Sequence, residues 1–113
     1  MIQHTMIQLG DVEEVVFKGM DGKRTVRANV DPGADRTSLD YLKASAIGAG
    51  PLVKTVTVRQ ASGRERRPVA RMWVELRGFE DIVEVGLSDR KGMTHDAIIG
   101  KDILEREEFV VNL

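Results

Sequence analysis

Cysteine is absent from the chain, which excludes a disulfide framework, a thiolate metal site and a cysteine nucleophile, and suits a reducing compartment. Histidine is scarce: His4 and His95 stand at opposite ends and neither sits in a His-Glu-x-x-His pattern, so zinc chemistry has little to build on. No Gly-x-x-x-x-Gly-Lys-Ser/Thr loop offers a nucleotide phosphate site. Aromatic residues make up only 4%, and the single Trp73 is better placed to pack beneath a hairpin than to stack bases. A formal net charge of −1 supplies no global field for nucleic acid or an anionic membrane. No apolar run approaches the ~20 residues that span a bilayer, and Met1 to Gly10 lacks a basic region followed by an apolar stretch. The expectation is a cytoplasmic protein with no cofactor, no metal, no nucleic-acid partner and no membrane partner.

What is present is β-patterned. Short β-branched runs separated by Gly, Pro, Asp or Ser recur about every dozen residues. Val12 to Phe17 and Thr25 to Val30 form a first pair across the turn Met20-Asp21-Gly22-Lys23. In the second run Val26, Ala28 and Val30 share one face and Thr25, Arg27, Asn29 and Asp31 the other. Asp40 to Ala46 suits one helical turn, broken by Gly48-Ala49-Gly50-Pro51. Val53 to Gln60 and Pro68 to Leu76 flank a polar tip, Ala61 to Arg67, as a long hairpin. Its return strand carries Ala70, Met72, Val74 and Leu76 on one apolar face. Ile82 to Leu87 and Asp96 to Ile99 are further strands, Gly100 opens a short helix through about Arg106, and Phe109 to Leu113 ends as a strand. The 113 residues form one domain, 1–113, large enough to bury roughly 65% of its unfolded surface yet small for an enzyme that must also enclose a substrate.

Two segments carry chemistry. Val30-Asp31-Pro32-Gly33-Ala34-Asp35-Arg36-Thr37 sets a carboxylate in a glycine-containing turn just after an apolar strand. Ala97-Ile98-Ile99-Gly100-Lys101-Asp102 is an apolar strand stopping at a glycine where a helix can start. Alone, Asp31-Pro32-Gly33 is also what an ordinary tight turn requires.

Together these segments resemble the retropepsin-like aspartic proteases. Asp31-Pro-Gly-Ala-Asp-Arg-Thr-Ser-Leu39 is similar to their Asp-Thr-Gly-Ala-Asp-x-Thr-x-Leu, and Ile98-Ile99-Gly100-Lys101-Asp102-Ile103-Leu104 to their Ile-Ile-Gly-Arg-Asn/Asp-x-Leu. Closer still is the bacterial and archaeal family labelled "ATP-dependent zinc protease". It has a Val-Arg-x-x-Ser-Gly hairpin, an Arg-Pro-Val return and an Asp-Arg-x-x-Met stretch, matched here by Val58-Arg59-Gln60-Ala61-Ser62-Gly63, Arg67-Pro68-Val69 and Asp89-Arg90-Lys91-Gly92-Met93. The motifs follow in order over about residues 10 to 113.

The resemblance implies an all-β fold: a single-lobe, closed β-barrel or sandwich with one short C-terminal helix. It implies an aspartic endopeptidase in which two carboxylates about 3 Å apart share a proton, one acting as base toward water while the other donates to the scissile carbonyl. A chain with one such motif reaches that pair only as a homodimer, with Asp31 against the partner's Asp31. By the same resemblance, Asp31 with Pro32 and Gly33 forms the catalytic motif. Ala34, Asp35, Ser62, Gly63, Arg64 and Ile98 contact a peptide or unfolded-protein substrate. Asp35 pairs with Lys101, and Phe109, Val110, Val111, Asn112 and Leu113 interleave at the dimer interface. The hairpin from Val56 to Val74 becomes a flap whose arginine-rich tip either selects acidic or phosphate-bearing substrates or simply stays solvated.

One residue departs from the pattern. Pro32 stands where the family has a hydroxyl residue whose side chain bonds across the dimer, and proline has neither hydroxyl nor backbone N–H. Three readings therefore stand: an active or impaired homodimeric peptidase, a non-catalytic peptide- or protein-binding module on the same fold, and a small β adaptor in which Asp31 is only part of a turn.

Overall fold

A computed structural model of the chain describes residues 7–106 and 109–111. Among these the order is β1 (Ile7–Leu9), β2 (Val12–Lys18), β3 (Lys23–Val30), β4 (Ser38–Asp40), α1 (Tyr41–Ala46), β5 (Leu52–Gln60), β6 (Gly63–Leu76), β7 (Phe79–Ser88), β8 (Ala97–Ile99), α2 (Lys101–Leu104) and β9 (Phe109–Val111). Hydrogen bonding runs β2-β3-β8-β4-β7-β6-β5, and β6 returns to β2 through Val16↔Glu75, Phe17↔Val74 and Lys18↔Trp73. That return closes β2, β3, β8, β4, β7 and β6 into a barrel, which removes their free edges. The all-β, single-lobe barrel expected from the sequence is the fold observed, with α2 as its short C-terminal helix.

The two-residue period decides what fills the barrel. Val15 and Phe17 of β2, Val26, Ala28 and Val30 of β3, and Ala70, Met72, Val74 and Leu76 of β6 are all buried, while their sequence neighbours, buried Val69 excepted, face outward or are half-buried. Val83, Val85 and Leu87 of β7, with Ile99 and Ile103, belong to the same core.

Several boundaries differ from the sequence reading, each for a local reason. The hairpin tip is not a seven-residue polar loop. Gln60 pairs with Gly63, so the turn is Ala61-Ser62 alone and Gly63 to Arg67 lie in β6; Gly63 has φ +127°, a conformation closed to other residues. Strand β7 begins at Phe79, because Arg77 (φ +46°) and Gly78 (φ +86°) make a two-residue loop between Leu76 and Phe79 with the left-handed backbone that matches strand twist. Strand β4 is three residues long, and Ser38, Leu39 and Asp40 are all buried. It runs parallel to β7 and antiparallel to β8. Asp40 then caps α1, accepting from the Lys43 amide at 3.3 Å. Trp73 does not pack beneath the β5–β6 arm: it pairs with Lys18 and Ile82 where β6 forms barrel wall, and Lys18 Nζ lies 5.9 Å from its ring centroid.

Strand β9 pairs with β1 in parallel, Ile7↔Phe109 to Leu9↔Val111. Among the residues expected at a subunit interface, Phe109, Val110 and Val111 are thus half-buried strand residues, while Asn112 and Leu113, like His4, lie outside the described residues.

Candidate active site

The Asp31 loop leaves the barrel where two strands end together. β3 and β8 run parallel through Val30↔Ile99, and the Asp31 amide extends that ladder by donating to the Ile99 carbonyl at 2.9 Å. The chain then turns: the Ala34 amide donates to the Asp31 carbonyl at 3.1 Å and the Gly33 amide to Asp31 Oδ1 at 2.9 Å. Asp31 is half-buried, with Pro32 and Gly33 exposed beside it. A side chain at residue 33 would bring its Cβ to 3.2 Å from Asp31 Oδ1, so glycine keeps the approach to the carboxylate open. Pro32 brings no N–H to this turn.

The loop is held from behind by the second glycine motif. The Thr37 amide lies 3.0 Å from both Asp102 carboxylate oxygens, and its hydroxyl donates to Asp102 Oδ1 at 2.7 Å while accepting from the Gly100 amide at 3.2 Å. Thr37 is fully buried. The Lys101 amide donates to the Ala34 carbonyl at 2.8 Å. A Cβ on residue 100 would stand 2.8 Å from the Ala34 carbonyl oxygen and from the Arg36 carbonyl carbon, so only glycine permits the two segments to meet this closely. By contrast, Asp35 Oδ1 and Lys101 Nζ are 3.8 Å apart with the Asp35 side chain 96% exposed, a geometry worth well under about 1 kcal/mol. The buried Thr37–Asp102 clasp is the contact that sequence reasoning left without a role. Its signal was a carboxylate one step inside a helix start and a threonine between charged Arg36 and buried Leu39.

A cleft of about 420 Å³ lies between this loop and the β5–β6 hairpin. Ala34, Asp35 and Arg36 line one side, Val56 to Arg59 and Arg67 the other, with Gly86 and Ile98 between. Ala34, Asp35 and Ile98, expected as substrate contacts, therefore belong to the cleft; Ser62, Gly63 and Arg64 stand exposed at the hairpin tip, outside its lining. Arg36, Arg59, Arg67, Val56 and Val58 also line it; the sequence placed them in motifs or the hairpin but not among the substrate contacts.

Two charged clusters stand on the barrel. Glu84 on β7 meets Lys54 Nζ at 2.9 Å, Arg36 Nη1 at 3.9 Å and Arg71 Nη2 at 4.0 Å. The Lys54 hydrogen bond and charge, aided by Arg36 and Arg71, hold its carboxyl below the ordinary glutamate range. Arg90 donates from its amide to Asp40 Oδ1 and from Nε to the His95 carbonyl, both at 2.9 Å. Burial and the nearby Arg67 lower its pKa, and Asp40 and Asp96 act against that. The Asp89-Arg90 motif thus ties the β7–β8 connection to the start of α1.

Among the described residues no group of three or more His, Cys, Asp or Glu lies together as a metal site would need. No helix among the described residues is long and apolar enough to cross a membrane.

No protein-family model matches the chain, and no curated protein matches it in sequence. Solved structures do resemble it. A crystal structure of a protein of unknown function from Legionella pneumophila superposes with a TM-score of 0.64 at 20% identity, covering 96% of this chain and 94% of that one. EIAV protease complexed with the inhibitor HBY-793 superposes with a TM-score of 0.70 at 16% identity, covering 90% of this chain and 91% of that one. The fold of this chain is retropepsin-like.

Proposed function

We propose that the chain is an aspartic endopeptidase acting as a homodimer, in which Asp31 of each protomer supplies one carboxylate of the reacting pair. The observation that carries this reading is a half-buried Asp31 carboxylate on a loop fixed by Ile99 and by the Thr37–Asp102 clasp, the following residues Ala34 and Asp35 lining a cleft roofed by a hairpin. One chain has one such carboxylate, so a dyad needs a second copy across a two-fold axis. In the dimer one Asp31 takes a proton from water as its oxygen attacks the peptide carbonyl carbon. The other, protonated, donates to the carbonyl oxygen, and collapse of the tetrahedral species breaks the C–N bond as the amine takes up a proton. The β5–β6 hairpins serve as flaps, and the substrate is an extended peptide or unfolded protein segment. The resembling "ATP-dependent zinc protease" family is the one this reading favours, on the three motifs in the hairpin, its return and the Asp89-Arg90 stretch.

Pro32 supports a second reading, a peptide-binding module on the same fold without catalysis, because a cross-dimer hydrogen bond at this position has no donor. Cleavage of unstructured peptides between pH 4 and 7 separates the two. The enzyme reading expects hydrolysis that drops by at least about 100-fold in Asp31→Asn, and a Pro32→Thr variant that is faster or dimerises more tightly. Hydrolysis unaffected by Asp31→Asn refutes the assignment. Peptide binding with no hydrolysis in either the natural chain or Pro32→Thr leaves the binding module.

A further inference from the structure

The cleft is cationic, its arginines outnumbering its carboxylates. Three arginines line it, Arg36, Arg59 and Arg67, against one carboxylate, Asp35, which is itself 3.8 Å from Lys101. Arg36 is the best placed of them. Residue 86 lacks a side chain, and a Cβ there would fall 3.3 Å from Arg36 Cδ, so the Arg36 stem crosses β7 over Gly86 on the cleft floor. Its head reaches toward Glu84, but Lys54 already holds that carboxylate at 2.9 Å, leaving Arg36 at 3.9 Å from the carboxylate and 3.4 Å from the Glu84 carbonyl oxygen. Those lengths exceed a good charge-assisted hydrogen bond, which spans about 2.7–2.9 Å. Across the cleft, Arg67 donates from Nη2 to Glu65 at 3.1 Å while its Nε is buried with no partner. A bound carboxylate meets in Arg36 a guanidinium whose contacts within the protein are long.

We infer that this cleft selects peptides carrying an acidic side chain, with Arg36 as the specificity-determining residue and Arg67 as its counterpart on the hairpin. The inference rests on the reading of the cleft as a peptide groove. An incoming Glu or Asp takes the planar donor fork of Arg36 in place of the long contact to Glu84, which keeps Lys54 and Arg71 as its own partners. A substrate with Gln at that place offers no charge, and one with Lys meets like charge.

The test measures binding to the full-length Asp31→Asn protein, which separates affinity from turnover, using fluorescent peptides identical except for one central Glu, Gln or Lys. The expected order is Glu over Gln by about tenfold at low salt, with Lys weakest, and the Glu preference shrinks as salt rises. Arg36→Gln brings Glu and Gln to within about twofold, and Arg36→Lys restores part of the preference. Equal binding of Glu and Gln peptides overturns the acidic selection and leaves the peptide groove standing. No binding of any of the three overturns the groove reading with it. A preference that survives both Arg36→Gln and Arg67→Gln, in variants whose circular dichroism matches the parent, also overturns the assignment.

Discussion

A single hydroxyl holds the two glycine motifs together. The Thr37 side chain, itself fully buried, receives the Gly100 amide and donates to Asp102, so removing it strands a buried donor and weakens the support of a half-buried carboxylate. Thr37→Val is expected to cost about 1–3 kcal/mol, and Thr37→Ser much less, because it keeps the hydroxyl. Thermal unfolding checks this: each kcal/mol lowers the midpoint by roughly 4–8 °C in a domain near this size. A loss in Thr37→Ser with none in Thr37→Val would show that the methyl group, not the hydroxyl, matters. Glu84 gives a second prediction at this scale. Its folded pKa lies below the ordinary value, so its contribution is present above the unfolded pKa and is lost as pH falls through the folded one. Acid unfolding below the ordinary glutamate range should therefore begin at lower pH in the natural chain than in Lys54→Met, where the largest cause of the depression is gone. The effect is small, since the cluster is solvent-exposed. Of these residues the sequence exposed Asp31, Gly33 and Gly100 through turn chemistry. It did not expose the clasp, because a hydrogen bond between residues 37 and 102 exists only once β3 and β8 lie side by side.

The β5–β6 hairpin is an element with two characters. From Gly63 to Pro68 strand β6 pairs with β5 alone, and from about Val69 onward it pairs with β7 and then with β2. β5 itself shifts register between Leu52 and Lys54, which places a bulge at the root of the arm. Amide hydrogen exchange should follow this division, with Arg64 to Arg67 exchanging well before Met72 to Leu76 along the same strand; uniform protection would mean that the arm does not move independently of the barrel. The long alternations in β3 and β6 were readable because eight and fourteen residues give a two-residue period room to show. The three-residue strands β1 and β4 were not, since three residues carry no period and β4 is buried on all of them, and the Arg77-Gly78 loop was read only as part of a longer break between Leu76 and Ile82.

For the whole molecule, the decisive quantity is the mass in solution. A barrel with one Asp31 and an open cleft is half of the proposed enzyme, and sedimentation at rising protein concentration should show a dimer that Pro32→Thr stabilises. A strict monomer at high concentration, for both sequences, removes the dyad. The closed topology itself was implied by the resemblance of the two motifs rather than by periodicity, which identifies strands without saying which neighbour each one takes. The pairing of β1 with β9 has a mechanical consequence. Because these strands run parallel, Ile7 beside Phe109 and Leu9 beside Val111, tension entering at Ile7 and leaving at Val111 pulls them past one another. Their hydrogen bonds are then loaded together in shear instead of being peeled one at a time, so this small sheet meets tension along the chain before the barrel does.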